Sequence, residues 1–301
     1  MDSKKDEVKI AIQDLGQLLS EAHEMLSKQR GSYQSINDIL SGSFRTPSGI
    51  LLPLRIHKFV YENYDLFVLR AYCQLFQKVL QAENEIFILT TLRILQELGI
   101  KKIDIFFSGV LSPEEHAKAR LVSVLSDWVM LSRHSKYVKY FKELFKEEYS
   151  ILDKSGQKIF SDISIYLNSS SNAVPILLSK KMKRYRESIF GEHRKKIPIL
   201  TFLKGPNLES LFSYLSELLH GNPLMLEQIF NEKLHWKIKN RLYAFLWFTG
   251  QHALRRIQPQ VQEKEVTERI TNIITKAEDV WRLLVEDWEL EGQKQNNFRT
   301  S

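Results

Sequence analysis

The chain has 301 residues, with 43 Lys and Arg against 36 Asp and Glu, and a single cysteine. This length allows a substantial buried core, while only 8 Pro and 12 Gly argue against a turn-rich β-sandwich. The lone Cys73 excludes an intramolecular disulfide and a multi-cysteine zinc site. Because Cys73 lies in an apolar helical pattern, we predict a buried, unreactive thiol rather than a nucleophile.

The apolar runs of the chain are short. Residues 86–95 and 242–248 are the strongest, and both fall below the roughly 20 residues that span a bilayer. The charged N-terminus is not followed by the apolar stretch of a signal peptide. We therefore predict a cytoplasmic protein with no membrane contact. Since no metal-ligand pattern or nucleotide-binding loop is present, no cofactor and no metal are expected.

The first predicted helix covers about 4–29, and its apolar residues recur at alternating steps of four and three. They are Val8, Ile12, Leu15, Leu19, Ala22 and Leu26. Such a seam is typical of a helix that packs at a shallow angle on another helix. A bundle helix within this chain is the favoured interpretation. The alternative is contact with a second copy or a partner protein through this helix.

Further helices follow in chain order after a loop at 41–53. They are predicted at about 56–83, 85–98, 113–133, 135–149, 208–220, 225–257 and 261–290. Residues 103–110 could form a short strand, but a strand without a partner makes no sheet. Residues 153–175 are predicted as a loop with a short helix near 159–166, and the basic segment after it is treated as a loop. The fold class is therefore all-α, a multi-helix bundle with long antiparallel helices.

Three regions are predicted along the chain. Residues 1–55 form an N-terminal amphipathic helix and linker, residues 56–290 form the helical bundle domain, and residues 291–301 form a flexible tail.

Residues 180–196 concentrate positive charge. They hold eight Lys and Arg against two Glu, a net +6 where the whole chain carries +7. The basic residues are Lys180, Lys181, Lys183, Arg184, Arg186, Arg194, Lys195 and Lys196. Clustered Lys and Arg attract polyanions and predict phosphate-backbone binding. A solvated loop without a ligand is the alternative. For stacking bases, only Tyr185 and Phe190 interrupt the charges.

The basic segment also contains Arg186 and His193, with six residues between them. Metal-free RNA cleavage needs a base for the 2′-hydroxyl, an acid for the leaving oxygen and a cation that stabilises the transition state. A histidine with an arginine can supply these groups. Arg186 and His193 are therefore candidate catalytic residues.

Arg93 lies on a predicted helix that is apolar nearly all round, with Glu97 one turn later. A buried arginine needs a partner, so a core salt bridge to Glu97 is the first interpretation. The second is a cation at the edge of a cleft, where Arg93 and Glu97 would belong to a ligand-binding site.

Ser216 and His220 lie four residues apart on one face of the helix predicted at 208–220. His220 is followed by Gly-Asn-Pro, which ends the helix and leaves the imidazole beside a loop. The pair is a second candidate for acid–base chemistry, and an ordinary polar helix face is the alternative.

Two of these segments carry a resemblance. Residues 92–97, Leu-Arg-Ile-Leu-Gln-Glu, and 214–221, Tyr-Leu-Ser-Glu-Leu-Leu-His-Gly, resemble the signatures of a family of helical prokaryotic proteins grouped with HEPN-like domains. Such domains occur in toxins and abortive-infection systems, and active members use an arginine and a nearby histidine for metal-independent RNA cleavage, usually across a dimer. Glu187 stands where those members commonly have Asn, Asp or His.

The resemblance implies a HEPN-like protein that binds nucleic acid, RNA rather than DNA, in a prokaryotic defence or toxin module. It further implies a metal-independent ribonuclease. Two alternatives stay open: a non-enzymatic protein–protein interaction component, and a binder of a small anionic ligand held by Arg93 and His220.

Overall fold

The computed structural model describes residues 2–40, 54–82, 85–131, 145, 147–168, 176–198, 232–276 and 279–280. Within these ranges every regular element is a helix and no strand occurs, which confirms the all-α prediction. The predicted loop at 41–53, the helix at 208–220 and the tail at 291–301 lie outside the described residues.

The described helices are as follows in chain order: α1 Asp2–Gln29, α2 Tyr33–Leu40, α3 Leu54–Glu62, α4 Tyr64–Gln81, α5 Glu85–Glu97, α6 Asp104–Phe107, α7 Pro113–Leu131, α8 Lys154–Asn168, α9 Ile176–Lys196, α10 Glu232–Ile257 and α11 Lys264–Thr275. A π-helical turn, Leu98–Ile103, joins α5 to α6. Two 3₁₀ turns, Glu148–Ile151 and Gln258–Gln260, precede α8 and α11.

Several boundaries differ from the prediction. The helix predicted at 56–83 is divided into α3 and α4. The strand considered for 103–110 is wrong, because α6 occupies Asp104–Phe107. All four residues of α6 are buried, and a short apolar run buried on every side has no periodicity that separates strand from helix. The predicted start of α7 is confirmed by a capping box, in which Ser112 Oγ accepts from Glu115 N at 3.3 Å and Ser112 N donates to Glu115 Oε2 at 3.0 Å.

The chain packs as two compact units. The first comprises Met1–Leu26, Leu69–Ile103 and Ile199–Ser301, and the second comprises Ser27–Val68 and Asp104–Pro198. The predicted division near residue 55 stays a prediction.

In the first unit the apolar seam of α1 is buried. All six seam residues have at most 7% of their surface exposed. The Cys73 thiol of α4 donates to the Leu19 carbonyl at 3.3 Å, and a Cβ added at Gly250 of α10 would overlap Leu15. Because the seam is used within the unit, the bundle interpretation of α1 is favoured over a coiled coil with a second chain. Cys73 is buried, as predicted, and this burial raises the pKa of its thiol to about 12.

In the second unit α9 packs along α7 and also contacts α6 and α8. Its buried residues include Leu178, Met182, Tyr185 and Ile189, at steps of four, three and four. On α8, Gly156 lies against the Tyr185 ring, so that these two helices approach closely. This packing holds α9 with one side in the core and the other in solvent.

Candidate functional site

The basic segment is not a loop but most of helix α9. The apolar residues that anchor the helix recur at steps of four and three. The sequence prediction missed this spacing because eight cations lie among them within 17 residues. Lys and Arg are good helix formers, and the last turn of α9 carries Arg194, Lys195 and Lys196, where cations stabilise the negative end of the helix dipole. These cations are therefore compatible with a helix, provided that its apolar side is buried against neighbouring helices.

Three of the eight cations are held in ion pairs. Arg186 contacts Asp127 of α7 at 3.4 Å and Glu187 at 3.2 Å. Arg194 contacts Asp104 of α6 at 3.4 Å. These pairs join α9 to its neighbours and neutralise part of the charge that the sequence predicted for a ligand.

The third of these cations, Lys196, contacts Glu115 of α7 at 2.5 Å. The hydrogen bond from Lys196 is the largest of the influences that lower the pKa of Glu115 to about 2. Glu115 therefore stays ionised at all physiological pH values, and the pair persists with it.

The other five cations are exposed, and no ion pair among the described residues holds them. They are Lys180, Lys181, Lys183, Arg184 and Lys195. Four of them lie together in the N-terminal half of α9, and we call Lys180, Lys181, Lys183 and Arg184 the cation cluster. The first turn of α9 contains no acidic residue, so the positive end of the helix dipole adds to the same field.

The predicted catalytic pair lies on the other side of α9. His193 has only 5% of its surface exposed, so the expectation of a histidine in a basic loop is wrong. Its Nδ1 is buried without a hydrogen-bond partner in the described part of the chain. Burial lowers the pKa of His193, and the imidazole is therefore neutral near pH 7. Whether Arg186 and His193 cleave RNA stays a prediction, but this imidazole would first have to be uncovered.

Arg93 belongs to the first unit and forms the expected salt bridge. Its side chain is 12% exposed and contacts Glu97 at 3.0 Å. Lys101 also approaches Glu97, at 3.5 Å. The salt bridge expected between Arg93 and Glu97 is therefore present, but Glu97 is 46% exposed, so the pair lies at the edge of the core rather than within it. The other candidates, Ser216 and His220, lie outside the described residues, so their pairing with Arg93 stays a prediction.

Sequence reasoning missed two exposed apolar residues beside the cation cluster. Ile176 and Leu177, in the first turn of α9, are 60% and 63% exposed. The sequence spacing indicates that an apolar residue adjoins the cations, since Leu177, Lys181 and Arg184 follow one another at steps of four and three and share a helix face. Tyr185 and Phe190, the expected stacking platforms, are buried instead.

The described residues contain no group of three or more His, Cys, Asp or Glu side chains that could hold a metal ion. None of the helices described is long and apolar enough to cross a membrane. Comparisons of the chain with protein-family models, curated proteins and solved structures found no match.

Proposed function

We propose that this protein binds nucleic acid through the cation cluster on the N-terminal half of α9. The observation that carries the proposal is the difference in pairing along one helix. Arg186, Arg194 and Lys196 are neutralised by carboxylates, whereas the four cations of the cluster are exposed and lie within five residues of sequence. Exposed cations at this density attract the phosphate backbone and release its condensed counterions.

The arrangement of the cluster also supports a ligand rather than a structural role. Cations in the N-terminal half of a helix are not stabilised by the helix dipole, and neighbouring cations there repel one another. Their exposed side chains contribute little to packing. A polyanion would turn this local repulsion into attraction. His193 has no part in the proposed binding, because it lies on the buried side of α9.

The test compares two variants that lose the same charge. The first replaces the cation cluster with alanine at all four positions. The matched control replaces four exposed lysines of the first unit, Lys9, Lys78, Lys264 and Lys276. Fluorescence anisotropy with a labelled single-stranded RNA of mixed sequence is recorded over a range of salt concentrations.

The cluster variant is expected to bind at least about tenfold more weakly at low salt. Its slope of log affinity against log salt should fall by about 3, at roughly 0.7 for each of four lost phosphate contacts. The control should keep the parent slope. No binding by the parent at low salt, or equal losses in both variants, would overturn the proposal.

A further inference from the structure

The solvent face of α9 continues beyond the cation cluster into an apolar end. Ile176 and Leu177 are more than half exposed, and Leu177 lies on the same helix face as Lys181 and Arg184. At about 1.5 Å per residue, Leu177 and Lys181 are about 6 Å apart along the helix axis. A single ligand a few ångströms long can therefore contact both an apolar and a cationic side chain.

A nucleic-acid duplex does not match this combination. Its base faces are stacked inside, and its grooves present mainly polar base edges and phosphates. In an RNA duplex the major groove is deep and narrow and side chains cannot read it, and the shallow minor groove presents 2′-hydroxyls and base edges. The buried Met182, Tyr185 and Ile189 hold α9 against the second unit, so that only one face is offered.

A single strand does match it. Unstacked bases expose apolar faces beside the charged backbone, and proteins bind such strands by combining a positive surface with a platform for the bases. Large aliphatic side chains can also contact base faces, as they do where they wedge between base steps. The two expected aromatic platforms are buried, which leaves Ile176 and Leu177 as the apolar surface next to the cations.

Resting on the proposed function, we infer that the ligand is single-stranded nucleic acid, with a base on Ile176 and Leu177 and the adjoining phosphates on the cation cluster. Any base offers a face, so this contact carries little sequence preference. Phosphate attraction supplies most of the affinity, and the apolar end discriminates single strands from duplexes.

The experiment uses the full chain and four probes: a single-stranded RNA, the same RNA as a duplex, a single strand with abasic sites, and vesicles of phosphatidylcholine with phosphatidylserine. The test variant carries Ile176→Ser and Leu177→Ser. The matched control carries Ile10→Ser and Ile94→Ser, which change two exposed aliphatic residues of the first unit.

The parent should bind the single strand about tenfold or more tightly than the duplex. The test variant should lose about three- to tenfold on the intact single strand, a loss in the range of weak base stacking. It should lose nothing on the abasic strand, because that probe keeps the phosphates and has no base to contact. The control should match the parent on every probe.

Equal affinity for duplex and single strand, or the same loss on intact and abasic strands, would overturn the inference and leave the proposed function standing. No binding to any nucleic acid would overturn both. Tight binding to the anionic vesicles that disappears in the test variant, without preference for single strands, would show that a lipid surface occupies this end of α9 and would likewise overturn the inference.

Discussion

Both halves of α9 carry Lys and Arg, but the N-terminal half holds no Asp or Glu, whereas the C-terminal half holds Glu187 and Glu192. In the N-terminal half, the cation cluster faces solvent and no ion pair among the described residues holds it. In the C-terminal half, Arg194 and Lys196 contact Asp104 and Glu115 of neighbouring helices. The C-terminal cations also suit the helix dipole, and those of the N-terminal half do not.

The difference shows that charge density alone does not locate a binding surface. In the C-terminal half, the ion pairs of Arg194 and Lys196 join α9 to α6 and α7, whereas Lys195 between them is exposed. Under the proposed function, the exposed cation cluster of the N-terminal half contacts the ligand. Variants that change only one half of α9 can therefore test this difference.

The largest effect is expected where a paired cation is removed. Arg194→Ala removes the ion pair of Asp104, whose side chain is only 7% exposed. We expect the free energy of unfolding to fall by about 2 kcal/mol, below the range for fully buried pairs because Arg194 itself is partly exposed. Urea denaturation followed by circular dichroism measures the change.

The adjacent residue provides the control. Lys195 is exposed and no ion pair in the described ranges holds it, so Lys195→Ala should change the free energy of unfolding by less than about 0.5 kcal/mol. Similar losses in the two variants would contradict the division of α9 into paired and free cations.

Removal of a paired cation in the first unit should lower the free energy of unfolding by a smaller amount. Arg93→Ala removes a nearly buried side chain, but its partner Glu97 is 46% exposed and has Lys101 nearby. Water and Lys101 can solvate the remaining carboxylate, so we expect a loss of about 1 kcal/mol, mainly from packing. Thermal unfolding of Arg93→Ala beside Lys101→Ala tests this. If Arg93→Ala lowers the free energy of unfolding more than Arg194→Ala does, the exposure of the remaining carboxylate does not determine the loss of stability.

A pH-dependent loss of stability is expected from the buried side of α9. Burial lowers the pKa values of His193 and of His116, which faces it from α7. The unfolded chain therefore takes up protons first as the pH falls below the ordinary histidine value of about 6.5. Stability should fall from there down to the folded pKa values and then level off.

Charged neighbours affect the two imidazoles in both directions. Those facing His193 are Glu115, Lys118, Lys196 and Glu192, and those facing His116 are Arg120, Asp65, Glu115 and His193. Because the pKa of Glu115 is about 2, this carboxylate does not titrate in the same window. Melting temperatures between pH 7 and 5 should fall less for His193→Gln and His116→Gln than for the parent. An unchanged pH slope in both variants would contradict the assignment.

Local interactions could be predicted from the sequence, and distant ones could not. The Arg93–Glu97 salt bridge and the start of α7 at Pro113 depend on residues three or four positions apart, and both were predicted. The partners of Arg186, Lys196 and Arg194 lie 59, 81 and 90 positions away. No spacing rule indicates such pairs, and the charge left for a ligand was overestimated for this reason.

The helical state of the basic segment was missed for a related reason. The anchor residues Met182, Tyr185 and Ile189 follow a helical spacing, but they stabilise the helix only when they pack against α7 and α8. Intrinsic propensity is a weak guide where tertiary packing decides. The all-α fold class was predictable because long amphipathic segments such as α1 specify helices by their own periodicity.

The smallest expected effect lies at Gly191, in the C-terminal half of α9 between the cation cluster and Lys195. Gly191 is exposed, and a Cβ added there meets no atom within 4 Å. Gly191→Ala should therefore raise the free energy of unfolding by about 0.5–1 kcal/mol, because alanine loses less backbone entropy in a helix. Gly156→Ala is the contrasting variant: its Cβ would overlap the Tyr185 hydroxyl, and we expect destabilisation.

Nucleic-acid binding by Gly191→Ala also tests which half of α9 contacts the ligand. If the ligand occupies only the N-terminal half of α9, the added methyl group lies beyond it and the affinity stays within about twofold of the parent, since a stabilised helix leaves the cation cluster unchanged. Anisotropy titrations of the variant at low salt measure this. A clear loss of affinity together with a gain in stability would mean that the ligand passes over Gly191 towards Lys195, and that both halves of α9 contact it.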